Sequence, residues 1–181
     1  MLAIEPCIMK PDLQSYLNVL GYSSGLVEAK TSSSSKFTRY TLHKGEIKNF
    51  RNIMQKNRNT ILFSKPYDIE TLRFSVLTSE ISGITVDDSN IKIFRKAMLN
   101  LINYNKKIVE ISLKSSSFVI SRAISWGYKW SFPLIFSSFA QEFNEIWPLV
   151  SKINYLIVHG ASQVQAYKWV LNDPFKLFSN E

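Results

Sequence analysis

The apolar positions of the chain alternate between two periods. Residues 2–8 (LAIEPCI) are a short, mostly apolar run of the kind a buried strand gives. Behind it Pro11 opens a stretch where Leu13, Tyr16, Leu17 and Leu20 recur at helical spacing up to Gly21, which predicts a strand followed by a helix. Residues 25–29 (GLVEA) predict a second strand, the polar run TSSSSK at 31–36 a loop, and residues 37–42 a third strand. Ile47, Phe50, Ile53 and Met54 then fall on one side of a helix whose other side carries Lys44, Lys48, Arg51, Gln55 and Arg58.

The alternation continues to the end of the chain. Residues 59–64 (NTILFS) read as a strand, and Asp68 is placed to cap a helix that turns Ile69, Leu72, Val76 and Leu77 inward. After a strand at 83–86, Asp88 or Ser89 caps a longer helix with Ile93, Phe94, Ala97, Met98, Leu101 and Ile102 inward and Lys92, Arg95 and Lys96 outward. KIVEISL at 107–113 is the clearest strand, and 115–128 is helical with Phe118, Ile124 and Trp126 apolar. PLIFS at 133–137 is a further strand. A helix over 142–153, a segment at 153–158 that reads as strand or helix, a helix over 161–171 and a terminal NDPFKLF complete the pattern.

Strands separated by helices of ten to fifteen residues imply parallel pairing through right-handed crossovers, so the fold class is α/β. Seven or eight such units favour a compact TIM-like (β/α) barrel over a doubly wound open sheet, as one domain over residues 1–181. That length is short for a barrel, so the connections must be small. The predicted strands hold few charges, as burial on both faces requires.

With 45% apolar, 13% aromatic and 20% charged residues, the composition is that of a folded protein. One cysteine, Cys7, and two histidines exclude an internal disulfide and a Cys/His zinc cage. The N-terminal run holds Glu5 and Pro6 and lacks a basic start, and no uncharged apolar stretch reaches about 18 residues, so the expectation is a soluble cytoplasmic protein without membrane contact. The net charge of +8 is concentrated. Residues 30–65 carry Lys30, Lys36, Arg39, Lys44, Lys48, Arg51, Lys56, Arg58 and Lys65 against Glu46 alone, while the rest of the chain is close to neutral. A basic segment of this kind suits a polyanion, whose phosphates release counterions when neutralised.

Catalytic chemistry is thin. The C-terminal strand ends, where a barrel enzyme places its reactive groups, hold Cys7, Glu28, Ser64, Lys65, Asp87, Asp88, Lys114, Ser137 and Ser138. Asp87 and Asp88 precede a helix and read as capping residues, and His43 and His159 each stand alone. There is no P-loop and no Gly-rich dinucleotide fingerprint. What recurs at strand ends and first helix turns is cationic or hydroxylic: Lys65, Arg73, Lys114, Ser115, Ser116, Arg122, Ser137 and Ser138, all donors to phosphate oxygens. Trp126, Trp130, Trp147 and Trp169 read as core or interface aromatics.

VLGYSSGLVEA near the start, VEISLKSSS followed by a helix with Arg122, FPLIFSSFA and the closing NDPFKLF occur in an order that resembles the protein component 3 family of archaeal ribonuclease P, related to a eukaryotic nuclear subunit of the same particle. Two departures stand out: Phe139 occupies the place of a family glycine in the turn after Ser138, and FNEIWPL lacks the arginine of a Ser-Pro-Arg helix start. The resemblance implies a barrel akin to polymerase-and-histidinol-phosphatase (PHP-like) metal hydrolases with the metal ligands lost. It also implies a subunit that helps a catalytic RNA remove the 5′ leader of precursor tRNA, beside a small ferredoxin-like protein partner. The magnesium would then belong to the RNA, with no cofactor and no catalytic residue on the protein. The expected RNA-binding set is Lys44, Lys48, Arg51, Arg58, Lys65, Arg73, Lys114, Arg122, Ser137 and Ser138. The competing reading is a stand-alone barrel enzyme that grips a phosphorylated small molecule with strand-end Lys and Ser. If the basic segment faces RNA, changing Lys48, Arg51 and Arg58 together to alanine should lower the slope of log affinity against log salt by roughly 2 to 3. A salt titration of RNA binding measures it, and an unchanged slope removes the segment from the interface.

Overall fold

The seven short apolar runs pair in the order in which they occur. A computed structural model describes residues 3–29, 38–46, 49–56 and 60–178, apart from the side chains of Met54 and Lys56. Strands β1 (Ile4–Ile8), β2 (Ser24–Glu28), β3 (Thr38–Leu42), β4 (Ile61–Ser64), β5 (Ile81–Val86), β6 (Ile108–Ser112) and β7 (Leu134–Ser137) form one sheet with every neighbour parallel. The sheet curls until its edges meet just beyond the strand ends. Ile8 bridges Ala140, the Met9 N–H donates to the Ala140 carbonyl at 2.8 Å, and the Phe139 N–H donates to the Cys7 carbonyl at 3.1 Å. The result is a nearly closed, TIM-like α/β barrel of seven strands.

Helices α1 (Phe50–Lys56), α2 (Ile69–Leu77), α3 (Lys96–Tyr104), α4 (Ser117–Trp130), α5 (Leu149–Val158) and α6 (Gln163–Tyr167) cover the barrel. The largest apolar cluster joins Leu72, Leu99, Val119 and Trp126 of the helices to Val86, Val109 and Leu134 of the strands. Trp126 and Trp169 are buried within it, while Trp130 and Trp147 pack half-buried against it. At the far end of the barrel, Leu177 of a 3-10 turn (Asp173–Leu177) packs among Leu26, Phe63, Ile108 and Ile135, and Asp173 accepts the Leu134 N–H at 3.0 Å. A C-terminal turn therefore plugs the bottom of the barrel.

Several predicted helices are shorter or broken, each for a local reason. The segment after β1 is a 3-10 helix (Pro11–Tyr16) followed by turns, which fits the short reach to β2 while still burying Leu13 and Leu17. The long helix expected after Asp88 is interrupted. Buried Asn90 accepts the Asp87 N–H and donates to the Pro66 and Thr85 carbonyls at 3.0 and 2.9 Å, fixing a turn, and a 3-10 turn at Ile91–Ile93 precedes α3. Asp88 instead accepts the N–H and hydroxyl of Ser116 at the start of α4, while Asp68 caps α2 in a reciprocal box with Thr71 as expected. Pro148 interrupts the helix expected over 142–153, so residues 149–158 form α5 and the ambiguous segment is helical. The last predicted helix begins as α6 and continues as a wider π turn over Lys168–Asn172. Ile47 of the amphipathic stripe lies outside the described residues, and Phe50 is buried as expected.

The strands are less apolar inside than their sequences suggest. Arg39 of β3 crosses the barrel interior to Glu110 of β6: Nη2 donates to Oε2 at 2.7 Å and Nη1 to Oε1. Nη1 also donates to the Pro6 carbonyl at 3.0 Å, and Nη2 to Thr41 Oγ1 at 3.2 Å. Glu110 accepts the hydroxyls of Thr85 and Ser137, and Glu28 accepts the N–H and hydroxyl of Thr41 at 2.9 and 2.8 Å. A second pair sits at the β1–β7 seam, where Lys152 of α5 donates to Glu5 at 2.5 Å and to the Phe136 carbonyl at 3.1 Å. Arg39 and Glu110 are completely buried, so neither charge can be left alone. Glu110→Leu should destabilise the fold by about 3–5 kcal/mol, and adding Arg39→Met should recover part of that loss. Urea unfolding of the wild type, both single variants and the double variant tests this, and additive losses would refute the pairing.

Candidate functional site

Where the strands end, the barrel opens into a cavity of about 330 Å³ to which each strand or its following residue contributes: Met9, Glu28, Thr41, Lys65, Asp87, Lys114 and Phe139. In a TIM-like barrel this is the face that carries chemistry. Its cations are already matched. Lys65 pairs with Asp87, and Lys114 donates to Glu145 at 2.8 Å. Burial opposes ionisation of Asp87, yet its bonds from Lys65 and Ser89 hold its pKa below the usual carboxylate range. The Lys114 ammonium and the Gln141 N–H do the same for Glu145. Exposed His43 lines the rim, where its backbone N–H donates to Glu46 at 2.8 Å.

Below the cavity floor lies the Arg39 network. The guanidinium carbon stands 3.8 Å from the centroid of the Phe63 ring and 5.4 Å from that of Phe139. Phe63 has room for its ring because Gly83 on the neighbouring strand has no Cβ; one built there would lie 2.3 Å from Phe63. Phe139 has a φ of 48°, the left-handed backbone that a glycine takes without penalty. The turn after Ser138 thus takes a left-handed residue with a bulky side chain, and that side chain covers the buried arginine. Cys7 is fully buried, and burial pushes its thiol well above the usual range, so it lacks the thiolate character of a nucleophile. Among the described residues no group of three or more His, Cys, Asp and Glu side chains is arranged to hold a metal ion.

The residues expected at a nucleic-acid interface separate into four groups. Lys44, Arg51, Arg73 and Arg122 are exposed, in the turn after β3 and on α1, α2 and α4. Lys65 and Lys114 are drawn together at the mouth, both paired. Ser137 and Ser138 are fully buried: their hydroxyls donate to Glu110 and Glu5, so neither presents a donor to a surface ligand. Lys48 and Arg58 lie outside the described residues, as do Lys30 and Lys36 of the same basic segment. Arg39, counted with that segment by charge, is an interior residue. Ser115 is buried and Ser116 is bonded to Asp88.

No family model matches this chain, and no curated protein matches its sequence. Its backbone is similar to a chain in a cryo-EM structure of archaeal ribonuclease P with mature tRNA, with a TM-score of 0.76 and 12% identity, over 96% of this chain and 89% of that one. The two chains share a fold.

The interior network had a readable trace in the sequence. One charged residue interrupts each of four otherwise apolar or hydroxylic strand runs: Glu5 in LAIEPCI, Glu28 in GLVEA, Arg39 in FTRYTL and Glu110 in IVEISL. Three carboxylates and one guanidinium at strand-interior positions point to mutual burial, not to four surface charges. At the mouth, the left-handed residue gives a direct test. Phe139→Gly should be more stable than Phe139→Ala by about 1 kcal/mol, because alanine keeps the backbone strain while losing the ring. Thermal unfolding of the two variants measures the difference; equal stability would place the turn outside the left-handed region.

Proposed function

We propose that this chain is a protein subunit of ribonuclease P that assists a catalytic RNA in removing the 5′ leader of precursor tRNA. The observation that carries the reading is the likeness of nearly the whole backbone to a chain of the archaeal particle. The ordered motifs VLGYSSGLVEA, VEISLKSSS, FPLIFSSFA and NDPFKLF support it independently of backbone geometry. The cations support it as well. Those at the barrel mouth are neutralised by carboxylates, while Lys44, Arg51, Arg73 and Arg122 project from the outside of the molecule.

In this reading the protein contributes electrostatics and not covalent chemistry. Its surface cations screen the repulsion between two RNAs, the catalytic one and its substrate, and favour the compact RNA arrangement that binds magnesium. The magnesium that acts in cleavage is held by the RNA. A small ferredoxin-like subunit is its protein partner. The mouth cavity is large enough for a small phosphorylated compound, and gripping one would require Lys65 and Lys114 to leave Asp87 and Glu145.

Reconstitution decides between the two. Cleavage of precursor tRNA by the RNA and the small partner, with and without this chain, should show a lower magnesium requirement and a faster rate when the chain is present. An unchanged requirement and rate overturn the subunit reading, and a hydrolysed or isomerised sugar phosphate in the absence of RNA would establish the enzyme in its place.

A further inference from the structure

Away from the mouth, a groove of about 280 Å³ runs between α3 and α4. On α4, Arg122, Ser125, Trp126 and Lys129 line it at spacings of three, four and seven residues, which is one stripe of the helix. Arg95, Lys96 and Leu99 face them from the start of α3. The floor is aromatic: the buried rings of Phe94 and Trp126 stack with centroids 5.7 Å apart. Trp130 closes one end, its indole N–H donating to Asn100 of α3 at 2.6 Å and its ring 4.9 Å from the Lys129 ammonium.

The charge of this groove differs from that of the mouth, the seam and the C-terminal turn. Arg95, Lys96, Arg122 and Lys129 are all exposed, no acidic residue lines the groove, and none of the four makes an ion pair among the described residues. Lysines at the mouth, at the seam and on the C-terminal turn each have a carboxylate instead. Four like charges around one cleft repel one another, and a polyanion relieves that repulsion. Arg122 and Lys129 lie about 10 Å apart along the helix axis, too far to grip a single phosphate and well placed to follow a strand carrying several.

We propose that the α3–α4 groove is an RNA-backbone binding site, with Arg95, Lys96, Arg122 and Lys129 neutralising successive phosphates of one strand along an aromatic floor. This rests on the reading of the chain as a ribonuclease P subunit and adds a surface separate from the basic segment at 30–65. RNA is favoured over an acidic protein segment because an RNA strand carries a charge on every nucleotide, so one strand can meet all four cations of a groove lined by no carboxylate.

The test uses the full chain and precursor tRNA over a salt series. Lys96→Ala, Arg122→Ala and Lys129→Ala together should lower the slope of log affinity against log salt by about 2 to 3. A control with the same charge removed elsewhere, Lys10→Ala, Lys106→Ala and Lys168→Ala, should change it by less than half as much. Acetylation of the wild type read by mass spectrometry should show Lys96 and Lys129 protected by bound RNA and Lys106 not protected, which tests the site without any substitution. Equal slopes for the two triple variants, or no protection of Lys96 and Lys129, overturn the groove while leaving the subunit reading intact. Loss of binding to polyglutamate with unchanged RNA binding also overturns it and assigns the groove to an acidic protein. A wild-type chain that binds no RNA and leaves reconstituted cleavage unchanged overturns both proposals at once.

Discussion

Arg39 and Glu110 face each other across the barrel interior with no water-exposed surface on either side chain, and β3 and β6, three places apart in the sheet, are joined by that contact. An ion pair buried to this degree is held only when nearly all its remaining donors and acceptors are also matched. The neighbouring residues follow from that requirement: Thr41, Thr85 and Ser137 point hydroxyls at the carboxylates, the Pro6 carbonyl accepts a hydrogen bond from Arg39, and Phe63 and Phe139 cover the guanidinium. A shift of β3 by one residue would turn Arg39 out of the interior and leave Glu110 buried without its partner.

The same constraint explains what could and could not be read from the chain. All seven strands were visible because each is a short run of buried residues bounded by turn formers or helix starts. Their inner and outer faces were not distinguishable, since a parallel barrel strand is covered on both sides and loses the alternation that would mark direction. Arg39 consequently looked like one more cation in a basic stretch, and Ser137 and Ser138 looked like strand-end donors. The breaks in the helices lie beyond sequence reach for another reason. Asn90 ends one helical pattern by bonding to Pro66, twenty-four residues away, and no local propensity encodes a partner at that distance. Pro148, by contrast, was a local signal, and the helix boundary it sets is the one its missing N–H requires.

Charge in this molecule is matched at the barrel rim and left unmatched on parts of its flanks. A TIM-like barrel ordinarily collects reactive side chains at the strand ends, yet here each lysine at that face has a carboxylate partner and the polar groups beneath serve one another. The side chains with unmatched charge stand on the outer helices, where a large ligand can reach several of them and a small one cannot. Such a distribution fits a scaffold for an extended partner better than a vessel for a metabolite, and it does so from charge placement alone.

The seam between β1 and β7 sets the order in which this architecture can be completed during synthesis. Glu5 of β1 waits for Ser138 and Lys152 to satisfy its carboxylate, and the barrel floor stays open until Leu177 arrives. Ladder pairs from β1 to β7 can assemble progressively as the chain lengthens, because each strand meets the one before it. Closure is different: it links segments more than 130 residues apart and carries the loop entropy of all the chain between them. A chain that stops short of β7 would thus present a curled sheet with two open edges and a carboxylate, Glu5, lacking its lysine, a state prone to pairing with other chains.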